Sequence, residues 1–398
     1  MKNPAFRLYF IDVMRAFAIC MMLQGHFVDG LLAHEYRDLD NPVFSTWLFF
    51  RGLTAPVFFT VSGFIFMYLL AKEKEPAKIG WNHIRVTKGI RRGIVLVLTA
   101  YALRINWKGL LFNGEIYSNA YMVDVLHCIG LSLLFLIAIY LYSYRRNRYV
   151  MPLLLLSATL LLFVIAPVYG SLRYEFLPTF LANYFTQIHG SVFTIFPWFG
   201  YAAFGAFVGT LFNLYKDNPH IYRYAIGFSV FFGLLLSFGS QPLFVLLHGF
   251  TGWHLFWLHT DYHLFSRLGN VLLVFTVFML LRNVIMSPMI RSVGQNTLSI
   301  YIIHYMTLYG SLIGIGFYRY WHHSLSPYVV IPGALGFVVL NVWLSFRYNQ
   351  YKPVVAEKYA LALAEAKSFV WDSYRLGRIQ FNRLKNRILV LLLAYRNR

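Results

Sequence analysis

Seven stretches of this chain, residues 52–71, 125–144, 149–172, 176–215, 224–260, 292–318 and 320–346, contain no Asp, Glu, Lys or Arg. About 20 apolar residues suffice for an α-helix to cross the hydrocarbon core of a bilayer. In lipid every backbone N–H and C=O must find its partner inside the protein, which leaves helices or closed barrels. Two more candidate spans are interrupted by charge: 8–31, with Asp12, Arg15 and Asp29, and 93–112, with Arg104 and Lys108. A tenth covers 268–285. The 176–215 run exceeds one crossing, and Pro178, His189 and Gly190 put its span from about residue 191 onward. The expectation is an all-α polytopic bundle of about ten transmembrane helices. Composition agrees, with 59% apolar and only 13% charged residues, against roughly 25% charged in soluble domains.

The net charge of +20 follows from topology. With the N-terminus inside, the cytoplasmic segments hold sixteen Lys and Arg and the outer segments seven, and ten more lie beyond residue 347. The positive-inside rule then gives N-in and C-in, with anionic membrane lipids as partners of the excess charge. No basic stripe with base-reading aromatics argues for nucleic acid. Residues 1–347 read as one bundle, and 348–398, with ten basic and three acidic residues and Phe369, Val370, Leu376, Ile379 and Phe381 at mixed helical spacing, as a basic amphipathic tail on the membrane surface. Cys20 and Cys128 both fall inside expected spans and suggest no disulfide framework. The first apolar segment, broken by Asp12 and Arg15, reads as a retained helix rather than a cleaved signal.

Four ionisable groups on that first helix need a reason, because each costs several kcal/mol in lipid unless it faces protein or a cavity. Arg15 and His26 are eleven residues apart, three whole turns, and so share a face about 16 Å apart along the axis. Asp12 lies three before Arg15 and Asp29 three after His26. The expectation is one inward stripe, with an Asp and Arg pair at the cytoplasmic end and a His and Asp pair at the outer end. Two expectations follow: a stripe that grips a thioester donor at one end and attacks it at the other, or a set of paired, buried helix–helix contacts with no chemistry.

Residues 7–30, RLYFIDVMRAFAICMMLQGHFVDG, resemble the first helix of the transmembrane acyltransferase superfamily, the acyltransferase family 3 clan, with its Arg, ten residues, then His. Residues 54–64 (TAPVFFTVSGF), 88–104, 123–131 (VDVLHCIGL), 196–209 (FPWFGYAAFGAFVG) and 293–304 (VGQNTLSIYIIH) are similar, in order, to the heparan-α-glucosaminide N-acetyltransferase-like catalytic branch. The usual Arg-Gly of the first helix is Arg15-Ala16 here. The resemblance implies transfer of an acetyl or other short acyl group from acyl-CoA to a saccharide hydroxyl or amine at the outer face of the cytoplasmic membrane.

His26 is the expected general base, oriented by Asp29, with a covalent acyl-histidine as the other possibility. Asp124 and His127 repeat the pairing at the outer start of the fourth helix and form a second catalytic pair. His304, with Asn296 and Ser299 before it, is expected to line the same cavity as a substrate-binding set. Arg15 with Asp12, and Arg85, Lys88, Arg91 and Arg92 just before the third helix, are the expected contacts for the acyl-CoA donor and its phosphates. No metal is expected: His259, Asp261 and His263, in a loop that also holds His248 and His254, fit no established ligand pattern, and Trp253, Trp257 and Tyr262 point to an interfacial belt around a polar acceptor surface. The rival reading is a transporter or flippase for a polar or saccharide substrate, in which the stripe is a proton relay.

Overall fold

The computed structural model describes residues 8–72, 78–114, 118–251, 262–312 and 314–355, with 357, 371 and 378. Apart from a single bridge between Leu32 and Leu325, the regular structure of the described residues is helical. The long helices are α1 (Tyr9–Leu31), α2 (Pro42–Leu70), α3 (Ile84–Arg104), α4 (Val125–Ser143), α5 (Val150–Val164), α6 (Ile195–Leu214), α7 (Ile221–Thr251), α8 (Tyr262–Leu280), α9 (Thr297–Tyr309) and α10 (Pro327–Val355). Seven helices among the described residues are long and apolar enough to cross a membrane: α1, α2, α4, α6, α7, α8 and α10. The other three expected spans coincide with helices that do not meet that measure. α5 is 15 residues long, α9 is 13, and the first turns of α3 are basic. The chain divides into two compact units, Met1–Val342 and Trp343–Arg398; most of the expected amphipathic tail lies outside the described residues.

Three boundaries differ from the sequence reading, each for a local reason. α2 starts ten residues early, at Pro42, because Asn41 caps it, its Oδ1 accepting from the N–H of Val43 at 2.9 Å and Phe44 at 3.3 Å. The charge that ended the apolar run, Arg51, is inside the helix. α3 starts at Ile84 because His83 Nδ1 accepts from the N–H of Arg85 at 2.9 Å. Arg85, Lys88, Arg91 and Arg92 therefore lie on α3 and not before it. The uncharged run 292–318 is not one helix. It breaks at Asn296, whose side-chain amide turns back to the carbonyl of Ser292 at 2.9 Å, between a short helix Pro288–Gln295 and α9.

Without a hydrophobic drive between helices in lipid, small residues that let backbones approach decide which helices pair. α2 and α6 pack most extensively against each other. A Cβ on Gly63 would stand 1.9 Å from the carbonyl oxygen of Ala202, and one on Gly205 1.8 Å from that of Thr60. The short helix Pro288–Gln295 lies as close to α1: a Cβ on Gly294 would stand 1.9 Å from the carbonyl oxygen of Asp12 and 3.3 Å from the amide nitrogen of Ala16. Around Phe10, near the start of α1, the rings of Phe64, Phe212, Tyr222 and Phe275 gather at 6.1 to 6.3 Å, joining α1, α2, α6, α7 and α8 in an apolar core.

Gly63→Ala is expected to lower the thermal stability of the detergent-solubilised protein by about 1–3 kcal/mol, the usual result of forcing a methyl into a filled interface. Gly227→Ala in α7, where the added Cβ meets nothing within 4 Å, is expected to leave the melting temperature unchanged or raise it slightly. Equal melting temperatures for the two variants would refute the role given to the α2 and α6 contact.

Candidate functional site

The stripe on α1 is real as a set of inward groups, but its partners are on other helices. Arg15 donates through Nη2 to Thr297 Oγ1 of α9 at 3.0 Å. Asp12, buried, accepts from Gln295 Nε2 at 3.5 Å, and the expected Asp12 and Arg15 contact pair does not form. Asp29 is not the orienter of His26: its carboxylate meets the guanidinium of Arg51 on α2. Three residues along one helix put Asp29 beside His26 in the sequence, yet the opposite charge on the neighbouring helix neutralises the carboxylate as an imidazole does not.

His26 is held instead from α9. Its Nδ1 lies 3.3 Å from the hydroxyl of Tyr309, and its ring stacks on His304 with centroids 5.5 Å apart and planes at 17°. His304 is fully buried and Tyr301 abuts it at 4.8 Å. Of the three residues expected to bind substrate, His304 reaches His26, Asn296 holds the helix break, and Ser299, on α9, is not free. His26 lines a small cavity of about 120 Å³ with Arg51, Thr54, Phe193 and Tyr301.

Asp124 and His127 form a capping box at the start of α4. The N–H of Leu126 donates to Asp124 Oδ1 and the N–H of Asp124 to His127 Nδ1, both at 3.1 Å. Both side chains are buried, and Asp124 also accepts from Arg104 Nε at 3.1 Å. The geometry gives this pair a structural task, fixing the helix start and Arg104.

A second cavity, of about 310 Å³, is bounded by Arg15 from α1, Arg85, Lys88 and Arg92 from α3, and Ser62 from α2. Positions 85, 88 and 92 recur at three and four residues and so share one face of α3; Arg91, off that face, does not line it. Among the described residues no carboxylate lines it, so four cations face one volume, with the apolar side chains of Phe66, Leu69, Ile129 and Leu133 as its walls. Such a site suits a multiply charged anion with an apolar extension.

Among the described residues no group of three or more His, Cys, Asp or Glu gathers at metal-ligand distance. His254, His259 and Asp261 lie outside the described residues. Residues the sequence reading passed over are Tyr301, Tyr305 and Tyr309, whose spacing of four along α9 signalled an aromatic face, and Thr297 and Arg51.

Beyond the end of α1, His323 packs against His34 and His322 with ring centroids at 4.3 and 4.0 Å, and its Nδ1 meets Nη2 of Arg37 at 2.9 Å. Its backbone N–H bonds the carbonyl of Gly30, so this knot closes the C-terminal end of α1. Desolvation first, then the charge of Arg37 and the neighbouring rings, hold His323 below its ordinary value of 6.5, against a bond to Leu32 that works the other way. A depressed value means that the folded state favours the neutral ring, so this contribution to stability is complete above pH 6.5 and is lost as pH falls through and below it. Lowering pH from 7.5 to 5.5 is expected to reduce the melting temperature of the native chain, and His323→Asn, which keeps a residue tolerant of the positive φ of 48° found there, to flatten that dependence. An unchanged pH profile in the variant would remove His323 as its origin.

Comparison with known proteins follows this geometry. The model of the heparan-alpha-glucosaminide N-acetyltransferase catalytic domain matches residues 7–250, which takes in α1 to α6 and all but the last residue of α7, and with them both His26 and the cationic face of α3. No curated protein matches the chain. Seven apolar helices together with this match make it an integral membrane protein. The match covers more than half of the sequence, and the chain belongs to the heparan-alpha-glucosaminide N-acetyltransferase catalytic-domain family.

Proposed function

We propose that this protein is a membrane acyltransferase that takes an acetyl group from acetyl-CoA, received from the cytoplasm, and transfers it to a saccharide hydroxyl or amine at the opposite face of the cytoplasmic membrane. The observation that carries this reading is the pair of unlike cavities along α1: three further cations gather around Arg15, and an imidazole with its partners sits eleven residues on at His26, about 16 Å away along the axis. The family's catalytic-domain description supports the acetyl donor and the glycan acceptor, and the excess of basic residues on the segments flanking the cationic cavity supports its cytoplasmic side.

In this reading Arg15, Arg85, Lys88 and Arg92 bind the phosphates of the nucleotide end, and the thioester reaches the cavity beside His26. With Nδ1–H donating to Tyr309, Nε2 keeps its lone pair for the acceptor. The acceptor nitrogen or oxygen attacks the thioester carbonyl carbon while its proton passes to Nε2. The carbon–sulfur bond breaks, and the sulfur leaves as the thiol of coenzyme A with the proton returned by the imidazolium. His304, stacked on His26, keeps the ring in its plane.

Purified full-length protein in detergent, given acetyl-CoA and glucosamine, is expected to release free coenzyme A. His26→Ala should lower that rate by about 10²-fold or more, the usual worth of a general base. The double variant Arg85→Gln, Arg92→Gln should raise KM for acetyl-CoA by about tenfold or more through lost charge-assisted bonds with a smaller effect on kcat. A folded His26→Ala protein with native turnover would overturn the reading.

A further inference from the structure

A third cavity, of about 400 Å³, opens where the end of α3 meets the end of α9. It is large enough for one sugar ring, whereas the space beside His26, about 120 Å³, is not. Its shape depends on how α9 stops. Gly310, at a φ of 74°, takes the left-handed conformation, its N–H returning to the carbonyl of Met306 at 3.0 Å, and Ser311 Oγ donates to the carbonyl of Leu103, tying this turn to α3.

The groups presented there are those that recognise a saccharide. Trp107 spends its indole N–H on the carbonyl of Ala102 at 2.8 Å, so what it offers the cavity is ring. Arg104 spends Nε on Asp124, and its terminal N–H groups meet no protein acceptor among the described residues. The hydroxyl of Tyr305 likewise has no hydrogen-bond partner there, and the side chain of Asn119 is exposed at the rim. Because Asp124 neutralises Arg104, the site suits hydroxyl groups better than a phosphate dianion. An aromatic face with hydroxyl, amide and guanidinium groups around it matches a pyranose, whose ring carbons are apolar and whose edge bears hydroxyls. Tyr309 joins this cavity to the chemistry: it lines the wall, and its hydroxyl lies 3.3 Å from His26 Nδ1.

The geometry points to this cavity, between Arg104, Trp107, Asn119, Tyr305 and Tyr309, as the subsite for the acceptor sugar, with Tyr309 positioning both the sugar and His26. This rests on the reading of the chain as an acyltransferase, and it assigns the acceptor to residues near the end of α3 and on α9 rather than to the histidine-containing stretch 247–267.

Two measurements test it, one of them independent of turnover. Asn119→Cys in full-length protein in membranes is expected to react with a small maleimide above the background of native protein, whose Cys20 is half-buried and Cys128 buried. Glucosamine is the probe, and it should slow that labelling. In the coenzyme A release assay Trp107→Ala is expected to raise KM for glucosamine about tenfold and Tyr305→Phe, an isosteric change, by a smaller factor in the same direction, each far exceeding any change in KM for acetyl-CoA. No protection of Asn119→Cys at saturating glucosamine, or unchanged KM for glucosamine in both variants, would overturn the subsite while leaving the acyltransferase reading in place. Absence of coenzyme A release from native protein with any donor would overturn the acyltransferase reading instead, and protection of Asn119→Cys alone would then decide whether this cavity holds a sugar.

Discussion

The cost of placing ionisable side chains on a helix surrounded by apolar ones organises this bundle. Each such group on α1 is met from elsewhere: Arg15 by Thr297, Asp12 by Gln295, His26 by Tyr309 and His304, Asp29 by Arg51. Apolar packing in lipid is nearly indifferent to how a helix is rotated about its axis, because lipid tails are as apolar as leucine. Polar contacts are not indifferent, and they set the register of α1 against α2 and α9. The glycine contacts at Gly63, Gly205 and Gly294 then fix how near the backbones come.

Much of the fold was legible from the uncharged runs, because the transfer cost of charge is the largest single term in where a membrane helix runs. Hydropathy fails where a charge is compensated by a partner it cannot see. Arg51 ended the apolar run, yet α2 continues through it because Asp29 is there to meet it. The basic residues of α3 read as a loop because hydropathy weighs their charge and not the cap at His83 that starts the helix before them. Conversely, hydropathy saw no break at Asn296, since an amide that bonds its own preceding turn costs little.

The site was legible in part. The eleven-residue spacing from Arg15 to His26 identified both ends of the stripe, and the cations at 85, 88 and 92 share a cavity with Arg15. Partner choice was not legible, because proximity along one helix says nothing of what the neighbouring helix presents. Asp124 and His127 have the spacing of a helix cap as much as of a catalytic pair, and the cap is what formed. Tyr301, Tyr305 and Tyr309 carried a readable signal in their four-residue period, masked by the ordinary abundance of aromatics in such a chain: Phe 38, Tyr 29 and Trp 9.

The double attachment of α1 to α9 gives the pair the character of a ruler. Thr297 holds Arg15 and Tyr309 contacts His26, so both graduations are set by the same two helices. A helix does not stretch: one residue added between the two would turn everything beyond it by about 100° and advance it about 1.5 Å. The distance between the cationic end and the imidazole is therefore fixed in whole residues, and an insertion between them could keep one of the two contacts with α9 only by giving up the other.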